Sequence, residues 1–492
     1  MTKAEHNELL QQLGQTSVCQ IADARGPSLA LDTQIRPLDT SFRICAPACT
    51  VLCPPDETGA REGSAASLAQ SLFALRAKGG HLCLDTGKPL GEHSMPSTVP
   101  IRPFSRRLNS IEMSSTSATV NAVAQLRSSG VNVVDLGPGE PHFATPEHIK
   151  QAAIGAIHNN KTKYTSVPGT AELREAIVQR HRQDFGSNFG LEEVIACPGG
   201  KYALFMAMQI LIEEGDEAVI PTPSWVSFKD MVRFAGGKCV FVDTTQNDFV
   251  LTPEIVERAL TRRTKVIVLN FPNNPSGALI DAASLERIVE IAASRNIWIV
   301  ADECYVYLTF AGKPLSVSQV MRHASNVVIV GSLSKTYAMT GWRLGYALAP
   351  APVISAMQTL QSQEISCPCS VTQIAGIAAL TGPQDCVESM RQEYAQLRDQ
   401  AVAGLKDLPG IRTVTPEGAF YVFPDVSGQL RFLNLQTAGE FSSLLLRECG
   451  VVVVPGEGFG SATHVRLAYS VSKHELARGV QKLREFCLAH ER

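Results

Sequence analysis

The 492-residue chain contains no apolar run of the roughly 18 residues that a membrane helix requires, which excludes a helical membrane span. It has no extended basic run, and its formal net charge is −3, so neither nucleic acid nor an anionic membrane surface is an expected partner. No GxxxxGK[ST] loop and no GxGxxG turn after a strand occurs, so a nucleoside triphosphate or a dinucleotide fits poorly. The amino terminus, "MTKAEHNELLQQLGQ", lacks the apolar core of a secretory signal. With 13 cysteines, an odd number, and no such signal, the expectation is reduced thiols in a cytoplasmic protein.

The composition, 45% hydrophobic and 18% charged, is that of a globular chain long enough for about two to four domains. Cys45, Cys49 and Cys53 recur every fourth position in "CAPACTVLC". A metal site needs closer pairs or a fourth ligand, so these thiols read as small apolar fillers of a buried strand rather than as ligands. The Pro-, Gly-, Ser- and Thr-rich stretch ending "HSMPSTVPIRP" reads as a linker. The expected organisation is a module at 1–97, a linker at 98–109, a large domain at 110–350 and a smaller α+β domain at 351–492.

Within the large domain a helical stretch is expected at 110–129. Short β-branched runs then follow at 193–197, 218–221, 238–242, 265–270, 297–301 and 326–330, with helical segments at 202–214, 284–295 and 316–322 between several of them. All-apolar strands alternating with helices predict an α/β fold, a mostly parallel sheet covered by helices on both faces. Such sheets bind ligands beyond the carboxyl ends of their strands. The four tips there read "PGGK", "FPNNPSG", "DECY" and "GSLSK".

Together the tips describe a ligand. Gly199–Gly200 before Lys201 offers backbone N–H groups to an anion at a helix start. Ser332, Ser334 and Arg343 add hydroxyls and a guanidinium fork suited to phosphate. Lys335 is then either one more phosphate contact or a nucleophile that forms a Schiff base. Asp302 decides between these, because a carboxylate repels phosphate but stabilises a protonated ring nitrogen. Imine-forming lysine, phosphate cup and acid specify pyridoxal 5′-phosphate.

"YTSVPGTAELREAI", "PTPSW", "NFPNNPSG", "DECYVYL", "SLSKTYAMTGWRLGY" and "GEPHFATP" carry a family resemblance. The chain from about 104 to 492 resembles the fold-type I, class I pyridoxal-phosphate-dependent aminotransferases, in particular their bacterial-type aspartate aminotransferase subgroup. The resemblance implies a ping-pong transaminase that moves an amino group from an L-amino acid, aspartate-like, to a 2-oxo acid such as 2-oxoglutarate. It implies that Lys335 holds the cofactor and shuttles the α-proton, and that Asp302 pairs with the pyridine nitrogen. Tyr305 and Asn274 would bond the ring's phenolic oxygen, and Trp225 would stack on the ring. Gly200, Lys201, Ser332, Ser334 and Arg343 would hold the phosphate, joined by Tyr164 from the second chain of a homodimer. Arg466 would grip the substrate carboxylate beside Gly139. The same cofactor also serves elimination, decarboxylation and oxidation, and these motifs do not separate the reactions. The subgroup usually has threonine where this chain has Ser276, and often an aliphatic residue where it has Cys304.

"SVCQIADARG", "LDTQIRPLDTSFRICAPACTV" and "LRAKGGHLCLD", at about 8–90, resemble the first half of another family. That family contains the ribonuclease-activity regulator A and the 4-hydroxy-4-methyl-2-oxoglutarate aldolases. The half bearing that family's metal-site residues has no counterpart here, so a truncated, non-catalytic module is expected.

Overall fold

The computed structural model describes residues 132–321 and 325–491, with short pieces at 36–37, 44–45, 105 and 107–112. The chain divides into two units, Met1–Arg102 and Pro103–Arg492. In the first, Arg36–Pro37 pairs antiparallel with Ile44–Cys45. The rest of the aldolase-like stretch lies outside the described residues. So do the side chains of the cysteine cluster and, beyond Glu112, the helical stretch expected at 110–129.

The second unit is built on a seven-stranded sheet. Its strands in chain order are β1 Val194–Cys197, β2 Glu217–Thr222, β3 Lys238–Asp243, β4 Thr264–Asn270, β5 Trp298–Asp302, β6 Val327–Ser332 and β7 Gly345–Leu348. In space they run β1-β7-β6-β5-β4-β2-β3. Every neighbouring pair is parallel except the two that β7 makes with β1 and β6. Successive residues of β4 face opposite apolar layers. Ile267 and Leu269 pack with Ile299 and Ala301, whereas Val266 and Val268 pack with Val300 and Val330. Burial on both faces explains why these strands read as unbroken apolar runs.

Two expectations need correction. The run at 326–330 extends through Gly331 and Ser332, because β7, which was not expected as a strand, pairs Tyr346 with Gly331 and Gly345 with Ser332. A Cβ at Gly331 would lie within 2.2 Å of the Tyr346 ring, so only glycine fits there. Of the helix expected at 316–322, the described residues 316–321 form only a 3-10 turn, Val317–Gln319, whose Ser316 and Gln319 form a closed capping box.

The smaller domain packs helices Asp385–Leu405 and Lys473–Ala489 against a three-stranded sheet of Tyr421–Val422, Val465–Ala468 and Val454–Pro455. Its core includes Phe420, Tyr421, Leu467 and Tyr469 together with Val134 and Leu136. Val134–Asp135 pairs in parallel with Val451–Val452. That pairing carries residues 137–140 to the mouth of the main sheet.

Candidate active site

Beyond the carboxyl ends of β1, β4, β5 and β6, and under the smaller domain, lies a cleft of about 620 Å³. Every residue nominated from the sequence lines it except Tyr164, which is 89% exposed elsewhere on the surface.

Its anion end is built on a helix start. Helix Gly200–Leu211 follows Gly199, whose φ of +89° is left-handed, and no side chain caps it. The N–H groups of Gly200 and Lys201 therefore keep their donors for a ligand, while those of Tyr202 and Ala203 close on the Gly199 carbonyl. A Cβ at Gly199 would sit 2.6 Å from the guanidinium of Arg343, so that glycine brings the two donor groups together. Arg343 Nη1 donates to the Thr340 carbonyl at 2.7 Å. The Ser332 hydroxyl caps helix Leu333–Thr336 by accepting from Ser334 N at 3.2 Å. This cap sets Lys335 facing the cleft.

At the centre, Lys335 Nζ donates to the Gly139 carbonyl at 2.5 Å. Burial brings its ammonium down to about 8, outweighing the negative charge of Glu140 nearby. The shift leaves a larger share of the neutral, nucleophilic amine near neutral pH than an ordinary lysine has. Asp302 ends β5 and is 4% exposed. Cys304 N donates to its Oδ1 at 3.1 Å, and Lys335 is the cation whose charge acts on it. Burial pushes its carboxyl up, against the hydrogen bonds from Cys304 and the charge of Lys335, which hold it down. A cation placed against Asp302 inside the cleft would relieve that cost.

Arg466, on strand Val465–Ala468, is 2% exposed. Nη1 donates to Asn274 Oδ1 at 3.1 Å and Nη2 to the Gly137 carbonyl at 2.8 Å, while Nε has no partner. No acidic side chain among the described residues accompanies this buried charge, and burial depresses its basicity. An uncompensated guanidinium with a free donor is a receptor for a carboxylate. Also lining the cleft, Lys201 Nζ lies 4.8 Å from the centre of the Trp225 ring. Burial, with repulsion from Arg343, lowers its basicity too.

Sequence reasoning missed Tyr421. Its hydroxyl lies 2.7 Å from that of Tyr305, and its ring lies 4.4 Å beneath the Arg466 guanidinium. A Cβ at Gly139 would meet the Tyr421 hydroxyl at 2.5 Å, which is why that position has no side chain. The aromatic pair in "GAFYVF" was the available signal: the Phe420 and Tyr421 rings pack 4.7 Å apart, and both lie against Tyr305. Glu140 and Thr340, hydrogen-bonded to each other at the rim, were also missed.

A phosphate cup at a helix start, an imine-forming lysine, a buried acid awaiting a cation and a free guanidinium fit pyridoxal phosphate with an amino acid. The family model for aminotransferase class I and II matches residues 131–483. The aspartate aminotransferase of Geobacillus stearothermophilus is 40% identical over 386 residues, covering 78% of this chain and 98% of that protein. The aspartate/prephenate aminotransferase of Thermus thermophilus is likewise 40% identical over 386 residues, 78% of this chain and 98% of that protein. The solved structure of Thermus thermophilus aspartate aminotransferase with maleate superposes with a TM-score of 0.75 at 40% identity, covering 78% of this chain and all of that one. The chain belongs to the class I and II aminotransferases and is a pyridoxal-phosphate-dependent transaminase.

Proposed function

We propose that the enzyme transfers the amino group of aspartate, or of a similar dicarboxylic L-amino acid, to 2-oxoglutarate in ping-pong order, both substrates using the one cleft. The convergence of Lys335, Asp302 and Arg466 in that cleft carries the reading.

When bound, the cofactor supplies an electron sink for the α-carbon. Lys335 would hold it through its amine, with Ser332, Ser334, Arg343 and the backbone of Gly200 and Lys201 on the phosphate. Asp302 keeps a proton on the ring nitrogen, because a carboxylate buried this deeply is stabilised by a cation beside it. Tyr305 and Asn274 would direct hydrogen bonds at the ring oxygen, and Trp225 would cover a ring face. Arg466 takes the substrate α-carboxylate as a bidentate pair and fixes the α-hydrogen within reach of Lys335. The Lys335 amine, when free, would move the proton to and from that carbon. Its lowered basicity suits this work near neutral pH.

The dicarboxylic preference rests on Lys201, a cation on the cleft wall with no acidic partner among the described residues. A second carboxylate on the substrate would supply one. We further infer a homodimer, in which exposed Tyr164 serves the phosphate of the other subunit.

A screen of amino donors against several 2-oxo acids tests the proposal. Glutamate formed from aspartate and 2-oxoglutarate, without free ammonia, is the expected result. Release of ammonia, or a preference for neutral donors, overturns it.

A further inference from the structure

Tyr421 contacts two parts of the site with two different groups. Its hydroxyl is 2.7 Å from the Tyr305 hydroxyl. Its ring face lies 4.4 Å from the Arg466 guanidinium carbon. Arg466 also lies over the Phe459 ring, at 4.9 Å, so the cation is held between two aromatic faces. Tyr421 is 1% exposed and Tyr305 is 5% exposed. Burial raises both phenols, so both stay protonated through the working pH range.

Each phenol has one proton and accepts on its oxygen. If Tyr305 spends its proton on a ligand in the cleft, it has none for Tyr421. The hydrogen bond between the two then runs from Tyr421 to the Tyr305 oxygen. A phenol that accepts one hydrogen bond is a stronger donor of its own.

We propose that Tyr421 is a positioning residue with two separable roles: its hydroxyl polarises Tyr305 toward the cofactor's ring oxygen, and its ring seats Arg466 for the substrate carboxylate. This rests on the assignment of Tyr305 to that oxygen and of Arg466 to the carboxylate. Gly139 belongs to the same arrangement, since any side chain there would strike the Tyr421 hydroxyl.

The two roles predict different phenotypes. Tyr421→Phe removes the hydroxyl and keeps the ring. Tyr305 then donates more weakly, the ring oxygen's negative charge is less stabilised, and the loaded enzyme holds its titrating proton more tightly. The midpoint of its visible absorption titration moves to higher pH, and kcat falls while KM and maleate binding stay within about twofold. Tyr421→Leu also removes the ring, and maleate affinity drops by about tenfold, the scale of one desolvated cation–π contact.

The measurements are the absorption titration of loaded wild type, Tyr421→Phe, Tyr305→Phe and the Tyr305→Phe/Tyr421→Phe double variant, with maleate dissociation constants for each. In the double variant, loss of the second hydroxyl should add nothing to the midpoint shift of Tyr305→Phe. Tyr421→Phe conserves volume and tests the hydroxyl role if Tyr421→Leu fails to fold. An unmoved midpoint in Tyr421→Phe, or shifts that simply add, overturns the hydroxyl role. Unchanged maleate affinity in folded Tyr421→Leu overturns the ring role. An unmoved midpoint in Tyr305→Phe refutes the Tyr305 assignment instead, which keeps the two failures apart.

Discussion

Arg466 Nη1 and Asn274 Oδ1 meet at 3.1 Å across 192 positions of sequence. Arg466 stands on a strand of the smaller domain, and Asn274 lies in the loop after β4. The bond ties the carboxylate receptor to the strand tips of the large domain. A second tie runs from Arg466 Nη2 to the Gly137 carbonyl.

Arg466→Lys keeps a charge but cannot keep both ties and still present two donors to a carboxylate. It should lower kcat/KM for the amino donor by about a hundredfold, on the scale of a lost bidentate charge-assisted contact. Most of the loss should appear in KM. Steady-state kinetics with the donor varied at saturating 2-oxo acid is the check.

Glu303 gives a pH-dependent prediction for stability. It is buried one residue beyond Asp302 and accepts from Val317 N at 2.8 Å and from the Ser316 hydroxyl at 3.1 Å. Burial pushes its carboxyl up to about 8 from the ordinary 4.5. The folded chain therefore binds a proton that the unfolded chain releases, and stability from this group falls as pH rises from 4.5 through 8. Glu303→Gln keeps an acceptor oxygen and removes the titration. Relative to wild type, the variant should gain melting temperature steadily from pH 5 to pH 8.5. A pH-independent difference would show that Glu303 does not titrate in that range.

Much of this was legible in the sequence because strand tips are local. "FPNNPSG", "DECY" and "GSLSK" each follow a β-branched run, so Asn274, Asp302 and Lys335 were placed by counting from strand ends. Arg466 was found through a short motif, but its partners were not, because Gly137 and Asn274 reach it only through long-range packing. Strand β7 escaped notice because "GYAL" is four residues long and its pairing depends on a glycine facing Tyr346. Tyr421 drew no reading from the sequence, because its contacts with Tyr305 and Arg466 are long-range and arise only once it is buried in the core.

The amino-terminal stretch should be dispensable for the chemistry. Relatives such as the Geobacillus stearothermophilus enzyme are covered over 98% of their length by 78% of this chain. Deleting residues 1–97 should leave kcat within about twofold of wild type, measured at equal cofactor loading, while lowering solubility or thermal stability. Loss of transamination in a folded, loaded deletion variant would give the stretch a catalytic role.

The subunit arrangement is tested by complementation. Lys335→Ala and Tyr164→Ala chains should each be impaired alone. In a mixed dimer, one site would recover an intact Lys335 together with Tyr164 from the other chain. Unfolding and refolding the two chains together should give activity above the sum of the separate refolded samples. Simple additivity would place Tyr164 outside any shared site.

The most direct measurement is single-turnover spectroscopy of purified Lys335→Ala with aspartate, alongside wild type. The wild-type absorption band should change on adding aspartate and return with 2-oxoglutarate. The variant should show no turnover above about a thousandth of wild type, because the amine that moves the α-proton is gone. Turnover near the wild-type rate in Lys335→Ala would contradict the assignment of the cleft's chemistry to this lysine.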